Sequence, residues 1–243
     1  MWELIFVAFI LFIGSSIQGA SGFGFGLFSM GLLPILLSLK DSTLLVLALT
    51  VLISLQVAIK FRKYIQIKAL LFIVGAALTG RVVSFFFLNS FGDLDSMKKL
   101  LGFILIGMII YLHVSDGRPT TLSVKKPLFA IIVGFIGGII GGVFAVGGPF
   151  FVFYFLMRYT DKISYNANLQ AAFVIMNVFT ILLHGLNGDL NHHLLPYLLL
   201  GGIAVFMGVN LGLRWFERLP RERIKKLASV IVFISGLNLL LFS

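Results

Sequence analysis

"IQGASGFGFGLFSMGLLP", residues Ile17–Pro34, places five glycines (Gly19, Gly22, Gly24, Gly26 and Gly31) in a stretch without a single charge. Glycine in an exposed helix interior costs about 1 kcal/mol relative to alanine, so such a cluster calls for a reason. The stretch lies within the uncharged run Leu4–Leu37, which as one helix would reach about 51 Å at 1.5 Å per residue. A single crossing of the hydrocarbon core takes about 20 residues. The run is too long for one crossing and too short for two crossings with a turn. Two half-helices meeting near the midplane fit it. Irregular backbone at that depth is tolerated only when buried in protein or lining a cavity.

The rest of the chain places this element in a membrane. Of 243 residues, 59% are hydrophobic and 12% charged, and the mean hydropathy is +1.08. Uncharged runs recur at Ser42–Ile59, Ala69–Gly80, Leu100–Ser115, Pro127–Met157, Ile163–Asn187, Leu194–Leu213 and Leu227–Ser243. Together they predict an all-α polytopic membrane protein with eight hydrophobic segments and up to ten helices. The alternating segments of about ten residues that mark a transmembrane barrel are missing. The net charge of +10 comes from cations in short loops, which reads as the positive-inside bias and excludes nucleic acid as a partner. With no cysteine, thiolate and disulfide chemistry are excluded. The start "MWELIFVAF" lacks a basic n-region and a small-residue cleavage site, so it reads as a first helix.

The chain also repeats itself. "IQGASGFGFGLFSMGLL" from Ile17 aligns at an offset of 123 with "IGGVFAVGGPFFVFYFL" from Ile140, matching Gly19 to Gly142 and Gly24 to Gly147. "SMKKLLGFIL" from Ser96 aligns with "RIKKLASVIV" from Arg223, and Gly80 pairs with Gly208. The division is a first transmembrane repeat over 1–115, a linker over 116–126 and a second repeat over 127–243. Charge tests the topology. If Pro127–Met157 leaves on the side it entered, one side collects the cations of 60–68, 118–126, 158–162 and 214–226, and the other holds only Lys40, Lys98 and Lys99. A single crossing would spread the cations far more evenly, so the re-entrant reading is preferred. If Leu4–Leu37 behaves alike, the halves are inverted, each a Gly-broken re-entrant pair plus three transmembrane helices. Broken helices at the interface of inverted repeats build transporter sites near the midplane.

"GASGFGFGLFSMGLLPIL" in the first half and "GGIIGGVFAVGGPF" in the second, within an eight-segment duplicated layout, resemble the sulfite exporter TauE/SafE family. The resemblance covers essentially the whole chain and rests on glycine patterns. It implies transport of sulfite, sulfonates or related sulfur-containing anions. The first half reads "SGFGFG" with Pro34 well downstream, whereas the second reads "VGGPF" with Pro149 immediate, so the two breaks are not expected to match residue for residue.

The residues themselves favour an anion. A broken helix frees backbone N–H groups at a new N-terminus, where the dipole also favours negative charge. The candidate positions are Gly22, Gly24 and Gly26 in the first half and Gly147 and Gly148 in the second, with Gln18 and Ser21 as nearby donors. Close helix packing is the alternative, since Gly22/Gly26, Gly137/Gly141 and Gly138/Gly142 show small-xxx-small spacing. Arg81 is the one cation inside a predicted span. It either binds the anion, for which a guanidinium is suited, or snorkels to the nearer interface. Asn166, Gln170 and Asn177 share one helical face and either line the path or bond neighbouring helices. Thr50, Ser54 and Gln56 hold the corresponding stretch of the first half.

No Asp or Glu falls in mid-span, so transport is expected to be passive or weakly ion-coupled, with His184, His113 or backbone carbonyls as the available coupling groups. His192–His193 reads as a solvated loop pair, and no cofactor or metal is implied. The leading function is a small-anion transporter of the cell membrane, exporting a sulfur anion, with its basic loops cytoplasmic and a homo-oligomer left open. The alternatives are a permease for another small anion such as a carboxylate, or a non-transporting assembly factor. An intramembrane enzyme would need a nucleophile–base or metal constellation that the spans do not offer.

Overall fold

The computed structural model describes residues 2–91, 95–114, 127–190 and 192–218, with scattered positions in 230–241. These residues form helices and no strand: α1 (Trp2–Ser21), α2 (Phe25–Leu32), α3 (Leu39–Lys60), α4 (Ile67–Phe91), α5 (Asp95–Val114), α6 (Pro127–Phe144), α7 (Gly148–Arg158), α8 (Lys162–Leu186) and α9 (Leu195–Arg218), with three short 3₁₀ turns between some of them. Among them six helices (α1, α3, α4, α6, α8 and the stretch containing α9) are long and apolar enough to cross a membrane. The chain is a polytopic α-helical membrane protein. The linker 116–126 and residues 223–229 of the repeat segment lie outside the described residues, as does the side chain of His113.

Local chemistry sets the helix ends. Ser38 caps α3 by accepting the Asp41 N–H at 3.0 Å, and Asp161 caps α8 by accepting the Ser164 N–H at 2.8 Å. That bond, with a weaker one from the Ile163 N–H, holds the exposed Asp161 carboxyl below the usual carboxylate range. Gly188, at φ +77°, ends α8: its N–H bonds the Gly185 carbonyl, and the Asp189 N–H bonds the His184 carbonyl at 3.0 Å. This is the Schellman pattern, and it folds Asp189 back over the last turn.

The two long glycine-rich elements are both broken, and at matching places. α1 stops at Ser21 and α2 starts at Phe25; α6 stops at Phe144 and α7 starts at Gly148. The gaps 22–24 and 145–147 superpose at the sequence offset of 123. The first gap residue is left-handed in both, Gly22 at φ +85° and Ala145 at φ +55°. The third differs: Gly24 has φ +109° and Gly147 φ −66°. Gly22→Ala is expected to destabilise, because a Cβ would lie 2.9 Å from Asn166 Oδ1 on top of a left-handed penalty of about 1–2 kcal/mol. Ala145→Gly relieves the same strain at a cost of about 0.4–1 kcal/mol in unfolded-chain entropy, so its melting temperature in detergent should stay close to the parent's.

The principal helix pairs are α1 on α9, α4 on α6, and α3 on α8. Small residues allow the first two pairs to approach. Gly134, Gly138 and Gly142 face Ile73, Ala77 and Ser84 of α4, and Gly208 and Gly212 face Ser15, Ser16 and Gly19 of α1. Small-xxx-small packing thus accounts for Gly138/Gly142. Gly137 and Gly141 instead admit Phe151, Gly147 and the Arg81 guanidinium, while Gly22 and Gly26 face different partners across the break.

These contacts also give directions. Glu3 and Lys40 meet Tyr197 and Asp189 at one end of the molecule, so α1 and α3 both begin there. Tyr159, just past α7, reaches Gln66 just before α4 at the other end, and α6 runs alongside α4. α6 therefore begins, and α7 finishes, at the Gln66 end. α3 and α8 run antiparallel, with Ser54 meeting Gln170 and Lys40 meeting Asp189. Outward faces carry large exposed apolar side chains such as Phe9, Phe72, Phe86, Ile203 and Phe206, as a lipid-facing surface does.

Candidate functional site

The two breaks touch. A Cβ on Gly26 would run into the backbone carbonyl oxygen of Ala145, and one on Gly148 would lie 4.0 Å from Phe23. Only glycine lets α2 approach the second break this closely. Between them lies a cavity of about 30 Å³, room for one or two waters or a compact ion. Its walls combine the breaks (Phe23, Gly24, Gly26, Ala145–Pro149) with Leu27, Leu47, Phe151 and Phe173, and four polar side chains, Gln18, Thr50, Arg81 and Asn177. α2 and α7 both start here, neither with a side-chain cap. The first N–H groups of a helix have no intrahelical partner, and at α7 Pro149 removes one of them.

Arg81 is the centre of this site. Only 3% exposed, it does not snorkel. It extends from α4 to the second break, where Nη1 donates to the Gly141 carbonyl at 2.6 Å and Nη2 to Asn177 Oδ1 at 3.0 Å. Its Nε is buried without a partner, and no carboxylate among the described residues pairs with it. Gly141 makes this reach possible, since a Cβ there would sit 2.9 Å from Nη2. A buried guanidinium held only by neutral acceptors is costly unless something supplies negative charge.

Behind the cavity an amide network fixes the first break. Gln170 accepts from Ser54 Oγ at 2.8 Å and from Gln18 Nε2 at 3.3 Å. Its own Nε2 donates to the Gly22 carbonyl at 2.7 Å and to Asn166 Oδ1 at 3.1 Å. The left-handed turn at Gly22 is therefore gripped from α8.

Of the residues singled out from sequence, Gln18, Gly24, Gly26, Arg81, Gly147, Gly148 and Asn177 come together on the cavity wall. Gly22, Asn166 and Gln170 stand one layer back, in the network. Ser21 lies beside the break with its hydroxyl bonded to the Ile17 and Phe23 carbonyls. Thr50 was legible only as a counterpart of the Asn166–Asn177 stripe. The aromatic walls Phe151 and Phe173 carried no signal that separates them from the chain's other phenylalanines, which number 26 in all.

Compared with known proteins, residues 6–239 match the family model described as Sulfite exporter TauE/SafE. No curated protein and no solved structure matched the chain.

Proposed function

The chain belongs to the sulfite exporter TauE/SafE family, a family of membrane transporters, and from that premise we propose that it moves a small sulfur oxyanion, sulfite foremost, out of the cytoplasm. The observation that carries this reading is Arg81: a buried, uncompensated guanidinium beside two uncapped helix starts. A divalent or monovalent oxyanion supplies the missing charge, and the guanidinium fork and helix N–H groups suit its oxygens. The lining supports a small oxyanion: Gln18, Thr50, Arg81 and Asn177 can meet its oxygens.

The alternating-access frame is read from the helix directions. The two broken pairs open toward opposite ends, which supports inverted repeats meeting at the site. The Gln66 end, with Arg62, Lys63, Arg158 and Lys162, is the cation-rich end and on this reading faces the cytoplasm. The test is thermal stabilisation of the purified protein by sulfite, taurine, sulfoacetate and acetate, followed by efflux from sulfite-loaded proteoliposomes. Sulfite should give the largest shift and the fastest protein-dependent efflux. Equal shifts with acetate would make this a general small-anion permease, and no shift and no efflux with any of them would reject the reading.

A further inference from the structure

His184 is, besides Arg81, the one described basic or acidic side chain wholly inside the protein, and its surroundings give it a chemistry of its own. His184 is fully buried on α8, on the face that carries Asn177 two turns earlier. Its Nδ1 lies 2.6 Å from Asp189 Oδ2. The Schellman turn at Gly188 puts the carboxylate there, and Lys40 and Asn187 bind its other oxygen at 2.9 and 3.0 Å. An ionised carboxylate only accepts hydrogen bonds, so Nδ1 carries the hydrogen and Nε2 presents its lone pair. Nε2 is buried with no partner.

We propose that His184 Nε2 is a proton-binding site that takes up one proton when the anion binds; this rests on the reading of Arg81 as the anion site. Protonation at Nε2 gives an imidazolium whose charge Asp189 offsets through the Nδ1–H bond, which stays in place. The charged groups facing the ring are Asp189 directly and Lys40 through it, with Asp41 held by Ser38 and 3.2 Å from His193 at the same end. α4 contributes no carboxylate: it packs Phe85 edge-on against the imidazole at 4.9 Å, one turn beyond Arg81. His184 thus stands between the cation-poor end and the anion site. Asn177, which holds the guanidinium, is about 10 Å away along α8. An anion at Arg81 and a proton at His184 partly neutralise each other's field across one low-dielectric interior. The sequence leaves transport passive or weakly ion-coupled, with His184 among the available coupling groups; the carboxylate that singles it out, Asp189, comes from the loop.

The test is the number of protons taken up on sulfite binding, from titration calorimetry at pH 7 in two buffers of different ionisation enthalpy. Sulfite's own protonation is common to every variant, so differences between variants report the protein. Wild type should take up more protons than His184→Gln, by up to about one per sulfite, with Asp189→Asn showing the same loss. Sulfite–sulfite exchange in proteoliposomes at equal pH should persist in both variants. Equal proton uptake in wild type and both variants, with binding intact, would overturn the proton site. Absence of sulfite binding by the wild type would instead remove the anion reading, and the proton site with it.

Discussion

Arg81→Met should abolish sulfite transport while leaving the melting temperature unchanged or raised. The two effects have opposite signs because the guanidinium is a functional burden on the fold. It is 3% exposed, pairs with no carboxylate among the described residues, and donates only to the Gly141 carbonyl and Asn177. Burying an ion costs several kcal/mol even after relaxation, and a well-packed apolar replacement is often neutral or stabilising. Two acceptors lose their donor in the variant, a penalty of about 1–3 kcal/mol each if left dry, but Asn177 borders a cavity that water can enter and the Gly141 carbonyl still accepts the Ala145 N–H. Removing one partner of a buried charge pair costs about 2–5 kcal/mol of binding, which corresponds to a loss of about thirtyfold or more in affinity. Arg81→Lys keeps the charge but loses the planar fork, and should recover only part of the transport. A variant that unfolds would show Arg81 to be structural.

Gly26→Ala should be the most damaging single methyl in the chain's first half. The added Cβ meets the carbonyl oxygen of Ala145, a backbone atom of the opposing break that no rotamer change can move. Either α2 retreats or the left-handed turn at Ala145 is lost, and overpacking of this kind costs about 1–3 kcal/mol, occasionally more. Transport should fall with stability, since both walls of the cavity move. Gly75→Ala is the matched control. It lies in α4 with nothing within 4 Å of the added Cβ, and alanine's helix propensity should stabilise it by up to about 1 kcal/mol. Thermal unfolding in detergent, with efflux on the same preparations, reads both variants.

The breaks were visible in the sequence because glycine clustering and excess length are local signals, and the offset of 123 that aligned the two motifs also aligns the two gaps. Arg81 was visible because a cation in an apolar run is rare. What the sequence could not show was partnership. Asn166, Gln170 and Asn177 share a helical face, yet Asn177 holds Arg81 whereas Gln170, braced by Asn166, grips Gly22. That division depends on how α8 is rotated against α1 and α4, which no periodicity fixes. Equally, Asp189 read as a loop carboxylate because its link to His184 runs through backbone geometry. "HGLNGD" did hold the clue, a glycine placed one residue past a helix end. Ala145 gave no clue at all, since alanine rarely takes φ +55° and only its alignment with Gly22 points to the turn.

On the proposed reading an anion sits between the two breaks against Arg81. Selenite, a heavier relative of sulfite, makes that position directly visible by anomalous scattering from crystals grown in its presence. The expected result is one selenium peak within hydrogen-bonding reach of the Arg81 guanidinium, bounded by Gly24–Gly26 and Gly147–Gly148, and absent from Arg81→Met crystals. A selenium peak elsewhere in the molecule, or one that persists at the same place without the guanidinium, would contradict it.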